Sequence, residues 1–184
     1  MRIGVISDTH GDYISWEKAW NFLKDTDLIF HAGDVLYHGP RNPLPPGYDP
    51  KKLSSALNSC SVPLLVAQGN CDADVDQMVL DIPMQTPYVF TMIQGKRFMV
   101  QHGHTISDED MHKLIGRYRL DFFITGHTHI PILKKIGGCV VINPGSTSLS
   151  KREDKVNSIG LIEDGVARIV DLESGKDIMS LDLK

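Results

Sequence analysis

The sequence predicts an α/β fold in which two mixed β-sheets pack face to face as a sandwich, flanked by helices. Three observations carry that expectation. Short apolar runs alternate with helical patterns over the first two thirds of the chain, hairpin patterns follow from residue 87, and polar residues gather at the carboxyl ends of the apolar runs. Alternation of strands with helices is the signature of βαβ units and parallel strands, to which hairpins add antiparallel ones. At 184 residues, with no internal repeat or low-complexity tract, the chain reads as one domain spanning 1–184.

The first strand-like run, "RIGVIS", leads into a helix through "YISWEKAWNFLK". There Asp12 is placed to cap the amino end, and Trp16, Ala19, Trp20 and Leu23 share one face at i, i+3, i+4 and i+7, a core stripe rather than a binding platform. "DLIFHAG" is the second strand. A helix through "KKLSSALNSC" follows, with Asp49 as cap and Pro50 at the first helical position, where its missing N–H is not needed. "PLLVAQGN" is the third strand, and the Pro-rich "HGPRNPLPPGYDP", residues 38 to 50, is a surface loop. Beyond residue 87 come "YVFTMIQGKRFMVQ", "PILKKIGGCVVIN" and "SIGLIEDGVARIVDL", hairpins turning on Gln-Gly, Gly-Gly and Asp-Gly, with one more helix expected around residues 108 to 118.

Composition excludes several function classes. A chain that is 41% hydrophobic and 23% charged is an ordinary globular one, and no run of 18 apolar residues is long enough to span a membrane. Met1 leads straight into a strand without a signal-peptide pattern, so the cytoplasm is the expected compartment. Cys60, Cys71 and Cys139 are odd in number and match no zinc or disulfide spacing, which fits a reducing compartment. A net charge of −4 lacks the basic excess of a binder of long nucleic acid, but leaves small phosphate esters open because divalent cations reverse the local field.

The chemistry sits where strands end. "RIGVIS" is followed by Asp8 and His10, "LIFHAG" by Asp34, "LLVAQG" by Asn70, "RFMVQ" by His102 and His104, and "FFITG" by His127 and His129. Ligands of α/β sheets bind outside the carboxyl ends of the strands. If the "GHTH" segment were extended, His127 and His129 would point to one side. Seven donors, Asp8, His10, Asp34, Asn70, His102, His127 and His129, are too many for one tetrahedral ion. Two ions sharing a bridging carboxylate account for them, and mixed imidazole, carboxylate and carboxamide donors suit first-row metals rather than calcium.

In this order "DTH", "GD", "GNCD", "HGH" and "GHTH" resemble the calcineurin-like metallophosphoesterase superfamily. The "HGPRNPLPPGY" loop followed by "GNCDADVDQM" is similar to bacterial phosphodiesterases of the YfcE type. The resemblance covers essentially the whole chain. It implies that Asp8, His10 and His129 hold one ion, that Asp34 bridges, and that Asn70, His102 and His127 hold the second. The ions are expected to be manganese first, with zinc, iron or nickel as alternatives. Two cations about 3.5–4 Å apart would polarise a phosphoryl oxygen and activate a water to attack phosphorus in line. The implied activity is hydrolysis of small phosphodiesters. A phosphomonoesterase or nucleotide pyrophosphatase is the alternative enzyme, and a non-catalytic scaffold like the retromer subunit of this fold is the alternative of another class. A homo-oligomer is the expected assembly; no membrane partner is.

Several residues carry two readings. His104 either touches substrate or orients a ligand, and Asn70 and His102 join it as the catalytic set. Arg41 and His38 stand in the loop after the bridging Asp, positioned for substrate, with a loop-bracing role the alternative for Arg41. Cys71 occupies a position where the superfamily commonly has a histidine, so it faces the substrate as a poor proton donor or as a small packing residue. His31, inside a strand, reads as a satisfied core histidine, His112 as solvated, and Asn143 as a strand end beside the site or a turn cap.

Overall fold

The computed structural model describes residues 1–184. Its first strands are β1 (Ile3–Ile6), β2 (Leu28–His31) and β3 (Leu64–Ala67), with α1 (Tyr13–Leu23) and α2 (Pro50–Asn58) crossing between them. The three pair in parallel, Ile3 opposite Leu28 and Ile29 opposite Leu64. β1 is buried on both faces, which is why it reads as an unbroken apolar run instead of alternating. Asp12 and Asp49 cap as expected, accepting from the Ser15 and Lys52 backbone N–H groups.

A two-residue strand, β4 (Met84–Gln85), extends this sheet on one side. On the other side β10 (Ser158–Glu163), β11 (Val166–Asp171) and β12 (Asp177–Asp182) add antiparallel strands, giving the order β12-β11-β10-β1-β2-β3-β4. The second sheet has the order β5-β6-β7-β9-β8, from β5 (Val89–Ile93), β6 (Lys96–Val100), β7 (Phe122–Ile124), β8 (Ile132–Ile136) and β9 (Cys139–Asn143). Both sheets are mixed, and the sandwich expected from the sequence is the fold observed. Two of the three hairpins turn through pairs of left-handed residues, Gln94 (φ 49°) with Gly95 (φ 77°) and Asp164 (φ 52°) with Gly165 (φ 78°). That conformation matches the twist of the flanking strands. Three elements lie outside the expectations from sequence: β4, β12 and a 3-10 turn at Asp74–Met78.

Each face has its own core. Ile3, Val5, Phe30, Phe98, Val100, Ile124 and Ile142 fill the space between the sheets. Ile6, Trp16, Leu23, Leu53, Leu57 and Val66 join the larger sheet to α1 and α2. Met99, Met111, Phe123 and Val141 seat α3 (Asp108–Tyr118) on the outside of the smaller sheet. The layers run helix, sheet, sheet, helix, and the carboxyl ends of β1, β2, β3, β6 and β7 emerge at one edge.

His31 closes β2 and is fully buried. Its Nδ1 accepts from the Gly33 N–H at 3.0 Å, so its Nε2 carries the proton and donates to Thr9 Oγ1 at 3.0 Å; Thr9 in turn donates to the Val35 carbonyl at 2.8 Å. This chain of bonds ties the loop after β1 to the loop after β2. Burial pushes the imidazole down to about 4. The unfolded chain takes up that proton near 6.5 and the folded chain only near 4, so stability is lost as pH falls through this window. Between pH 6.5 and 4 the native protein is expected to lose about 3 kcal/mol more than His31→Gln, read from urea unfolding at a series of pH values. A difference that does not vary with pH would refute the neutral, buried imidazole.

Candidate metal centre

Five of the nine non-glycine residues with positive φ are Asp8 (54°), His10 (45°), Asp34 (59°), His127 (67°) and His129 (57°). Left-handed backbone costs an L-residue about 1–3 kcal/mol and persists only where the surroundings over-determine it. Asp and His tolerate it better than most, and all five here are predicted donors. The expectation of an extended "GHTH" segment is corrected by these angles. β7 ends at Ile124, and His127 and His129 stand on a loop with two left-handed residues, so strand alternation does not place them.

Asp8 is fixed along one edge. Its Oδ2 accepts from the Ser7 hydroxyl and, at 3.0 Å, from the His127 N–H, while its carbonyl accepts from the Ser146 and Ser148 hydroxyls at 2.8 and 2.9 Å. Its Oδ1 is buried without a hydrogen-bond partner, 3.1 Å from His129 Nε2 and 3.7 Å from His10 Nε2. Both imidazoles spend their Nδ1 protons on backbone carbonyls, His10 on Tyr37 at 2.8 Å and His129 on Leu149 at 2.6 Å. Their neutral forms therefore aim Nε2 lone pairs at each other across 3.1 Å. Such an arrangement repels itself unless a proton or a metal cation stands among the three atoms.

Asp34 begins a second group. Its Oδ1 accepts from the Cys71 N–H at 2.8 Å, and its Oδ2 lies 3.3 Å from His102 Nε2 and 3.8 Å from His10 Nε2, facing both groups. His102 gives its Nδ1 proton to the Ala32 carbonyl at 2.8 Å and points Nε2 at Asn70 Oδ1, 3.1 Å away. Burial alone would depress His102, but its bond to Asp34 and the charges of Asp8 and Asp34 outweigh burial and raise it to about 9. Burial pushes Asp34 the other way, and the same His102 bond overrides it and holds the carboxyl below the usual range. A proton on His102 thus balances, in the metal-free protein, charge that a cation would balance otherwise.

The remaining candidates spread over and around a cleft of about 800 Å³ that opens onto these groups. His127 lines it with its ring edge-on to His102, centroids 5.1 Å apart, and its ring nitrogens make no hydrogen bond. His104 is exposed at 5.5 Å from the His102 ring. Arg41 lines the cleft with no carboxylate partner. His38 does not reach it; the ring lies edge-on between Tyr37 and Tyr48, at 4.8 and 5.3 Å. Cys71 lines the cleft, and burial with the neighbouring Asp34 charge pushes its thiol up to about 12. Asn143 ends β9 and braces the "GHTH" loop, donating to the Gly126 carbonyl at 2.7 Å and accepting from the Gly145 N–H at 2.9 Å. His112 is exposed on α3.

Sequence reasoning missed three contributors. Asp72 accepts the N–H groups of Asp34, Val35 and Gly69 at 2.9, 2.6 and 2.7 Å, clamping the loops after β2 and β3 together. Lys151 lines the cleft as a second cation without a carboxylate partner. The buried "STS" run at 146–148 holds Asp8 from behind. The last residue of "GNCD" and a run of small hydroxyls after a buried strand were the available signals. Two glycines are required by close approach: a Cβ at Gly126 would lie 2.8 Å from Asp8 Oδ2, and one at Gly69 would lie 3.0 Å from Asp34 Cγ.

The donor set fits first-row divalent ions. The orphaned Asp8 Oδ1, the opposed lone pairs and the absence of thiolate from the Asp8, His10, His129 group favour nitrogen- and oxygen-binding cations.

Comparison with known proteins gives the same direction. The model of the calcineurin-like phosphoesterase superfamily domain matches residues 1–163. Phosphodiesterase YfcE of Escherichia coli K12 is 33% identical over 174 residues, covering 94% of this chain and 92% of its own. A probable metallophosphoesterase of Methanothermobacter thermautotrophicus is 30% identical over 162 residues, 84% of this chain and 81% of its own. Among solved structures, YfcE, described as a phosphoesterase from E. coli, superposes with a TM-score of 0.88 at 30% identity over the full length of both chains. Vps29 of Entamoeba histolytica in complex with Zn²⁺ superposes with a TM-score of 0.67 at 20% identity over both full lengths, a likeness of fold alone. No helix is long and apolar enough to cross a membrane. A family match over residues 1–163, carried by a centre whose lone pairs and carboxylates await cations, leads to one conclusion: the chain belongs to the calcineurin-like phosphoesterase superfamily and is a metal-dependent phosphoesterase.

Proposed function

We propose that the protein, acting in the cytoplasm as one domain over 1–184, hydrolyses small phosphodiesters at a two-metal site. The observation that supports this reading best is Asp34 Oδ2, 3.3 Å from His102 Nε2 and 3.8 Å from His10 Nε2, between two groups of donors. In the proposal Asp8, His10 and His129 hold one ion, Asn70, His102 and His127 the other, and Asp34 serves both. Manganese suits the set best, with zinc, iron or nickel the alternatives. Such ions, when bound, supply Lewis acidity toward the phosphoryl group and lower the pKa of a coordinated water.

The chain's own residues do the rest. Arg41 and Lys151, lining the cleft without carboxylate partners, neutralise the non-bridging phosphate oxygens. His104, exposed beside His102 with ring centroids 5.5 Å apart, is outside the cleft lining and in the proposal meets the substrate from that side. Cys71 keeps its proton through neutral pH and gives it up poorly, so departure depends on the acidity of the leaving alcohol. A non-catalytic scaffold is the weaker reading, because it has no need of two buried carboxylates with lone pairs trained on them.

Dialysis against a chelator is expected to abolish hydrolysis of an aryl diester, and Mn²⁺ to restore it. Asp34→Asn should lower the restored rate by about 100-fold or more, exceeding the loss typical of a mere supporting partner of a metal ligand. Wild-type metal content and rate in Asp34→Asn would end the shared-carboxylate model.

His102 must shed its proton to bind metal. Below pH 9 metal uptake should therefore release about one proton, and apparent affinity should climb with pH until His102 is neutral. Calorimetric titration with Mn²⁺ in buffers of different ionisation enthalpy counts that proton. A count of zero at pH 7 would mean that His102 is already neutral.

Cys71→His should raise the rate on alkyl leaving groups selectively, within the roughly 10²–10⁴-fold span of general acid catalysis. Equal change on alkyl and aryl esters at constant metal content would leave the thiol a packing residue only.

A further inference from the structure

A second cavity, of about 460 Å³, adjoins the cleft, within the roughly 300–1,000 Å³ range of ligand sites. Tyr37, Cys71 and Ala73 line both, so the two spaces adjoin at these three residues. Their characters are opposite. The cleft has 3 hydrophobic residues among 14 and carries Arg41 and Lys151, whereas the second cavity has 7 among 11. Tyr37, Tyr48 and Leu36 line the groove together with Val75 of the 74–78 turn and Val79 just after it.

Three of these side chains stand in water, Tyr37 at 42%, Val75 at 59% and Val79 at 50% exposure. Uncovered apolar surface concentrated in a groove beside a reaction centre marks a place for a ligand. The groove is also stiff. His38 wedges edge-on between the two tyrosine rings and holds them apart, which explains why it does not reach the cleft. The one carboxylate in the lining, Asp76, is buried and occupied by the Ala73 N–H at 2.9 Å, so no acidic group awaits a cationic occupant. At the junction Cys71 packs where Gly39 has no side chain; a Cβ at Gly39 would sit 2.9 Å from its Sγ.

We propose that this groove binds a planar aromatic substituent of the phosphoester, so that substrate spans both spaces with phosphate over the metal centre and the ring between Tyr37–Tyr48 and Val75–Val79. Aromatic walls favour ring occupants through edge and face contacts that an alkyl chain does not make. The proposal rests on the phosphoesterase reading and makes the groove the specificity-determining part of that site.

Phenylphosphonate and methylphosphonate, each with a single arm, test it as competitive inhibitors of Mn²⁺-loaded enzyme against one aryl diester. Phenylphosphonate should bind about tenfold to a hundredfold more tightly, the ratio expected for burying one ring. Val79→Trp fills the groove from the solvent side and should bring that ratio to near one, and Val75→Trp, entering from within the 74–78 turn, should do the same. Metal content and circular dichroism confirm that both variants are folded and loaded. Equal inhibition by the two phosphonates in the wild type, or a ratio that survives both substitutions, overturns the proposal. If sedimentation shows instead that Val79→Trp dissociates a dimer while the ratio is intact, the groove is an interface between copies and the proposal falls. Failure of the loaded enzyme to hydrolyse any diester, with neither phosphonate bound, would overturn the phosphoesterase reading and the groove with it.

Discussion

Two carboxylates withdrawn from water at one point, Asp8 and Asp34, are the constraint around which the structure is organised. An uncompensated buried ion costs several kcal/mol even after relaxation. Here the compensation is built from backbone and hydroxyl donors: Ser7 and the His127 N–H on Asp8, the Cys71 N–H on Asp34. One oxygen of each is left facing the imidazoles. Five donors in left-handed backbone add strain, at a cost of about 1 kcal/mol or more each. Such a centre survives only because its loops are short extensions of buried strands. Bound cations repay part of the strain, since a ligand present at 100 times its Kd stabilises by about 2.7 kcal/mol.

The sandwich supplies what the centre needs by topology. Parallel strands end at the same edge, so β1, β2 and β3 deliver three loops from one sheet, and β6 and β7 deliver two from the other. Donors 121 residues apart in sequence, from Asp8 to His129, meet because two sheets are stacked and not because any local motif folds them together. The clamps are equally non-local. Asp72 holds Asp34 from 38 residues away, and Ser146 and Ser148 reach Asp8 across the sandwich.

That non-locality decides what the sequence could reveal. Strands buried on both faces announce themselves as apolar runs, Asp12 and Asp49 as caps, and Gln-Gly and Asp-Gly as hairpin turns, because each is dictated by neighbours within a few residues. The donors were legible too, since Asp, Asn and His stand directly after those runs. β4 was not, being two residues long and held by pairing with β3 alone. β12 was missed because its edge position leaves Asp177 and Ser180 exposed and weakens the apolar signal. The strand-alternation argument for His127 and His129 failed for a physical reason. Periodicity of two holds only while φ stays negative, and both residues have crossed to the left-handed side. Asp72 and His38 act through backbone bonds or ring packing with residues of other segments, so the sequence could mark the residue in "GNCD" but not the partners it clamps.

The separation of ligands from substrate-facing residues follows from the same layout. The buried donors Asp8, His10, Asp34, His102 and His129 sit on the loops that leave the strand ends, where a shifted backbone would disturb the sheet as well as the site. Tyr37, Arg41, Tyr48, Val75 and Val79 instead belong to the 36–50 loop and the segment after Asn70, which cross the open edge and carry little of the core. Their ties to the metal centre are the Tyr37 carbonyl on His10 Nδ1, the Cys71 N–H on Asp34 and the Asp72 clamp. Side chains in these segments can change without moving a ligand, provided those contacts persist. A fold that confines its electrostatic strain to strand ends thereby leaves its recognition surface free to vary, and the cysteine between the two is the point at which they meet.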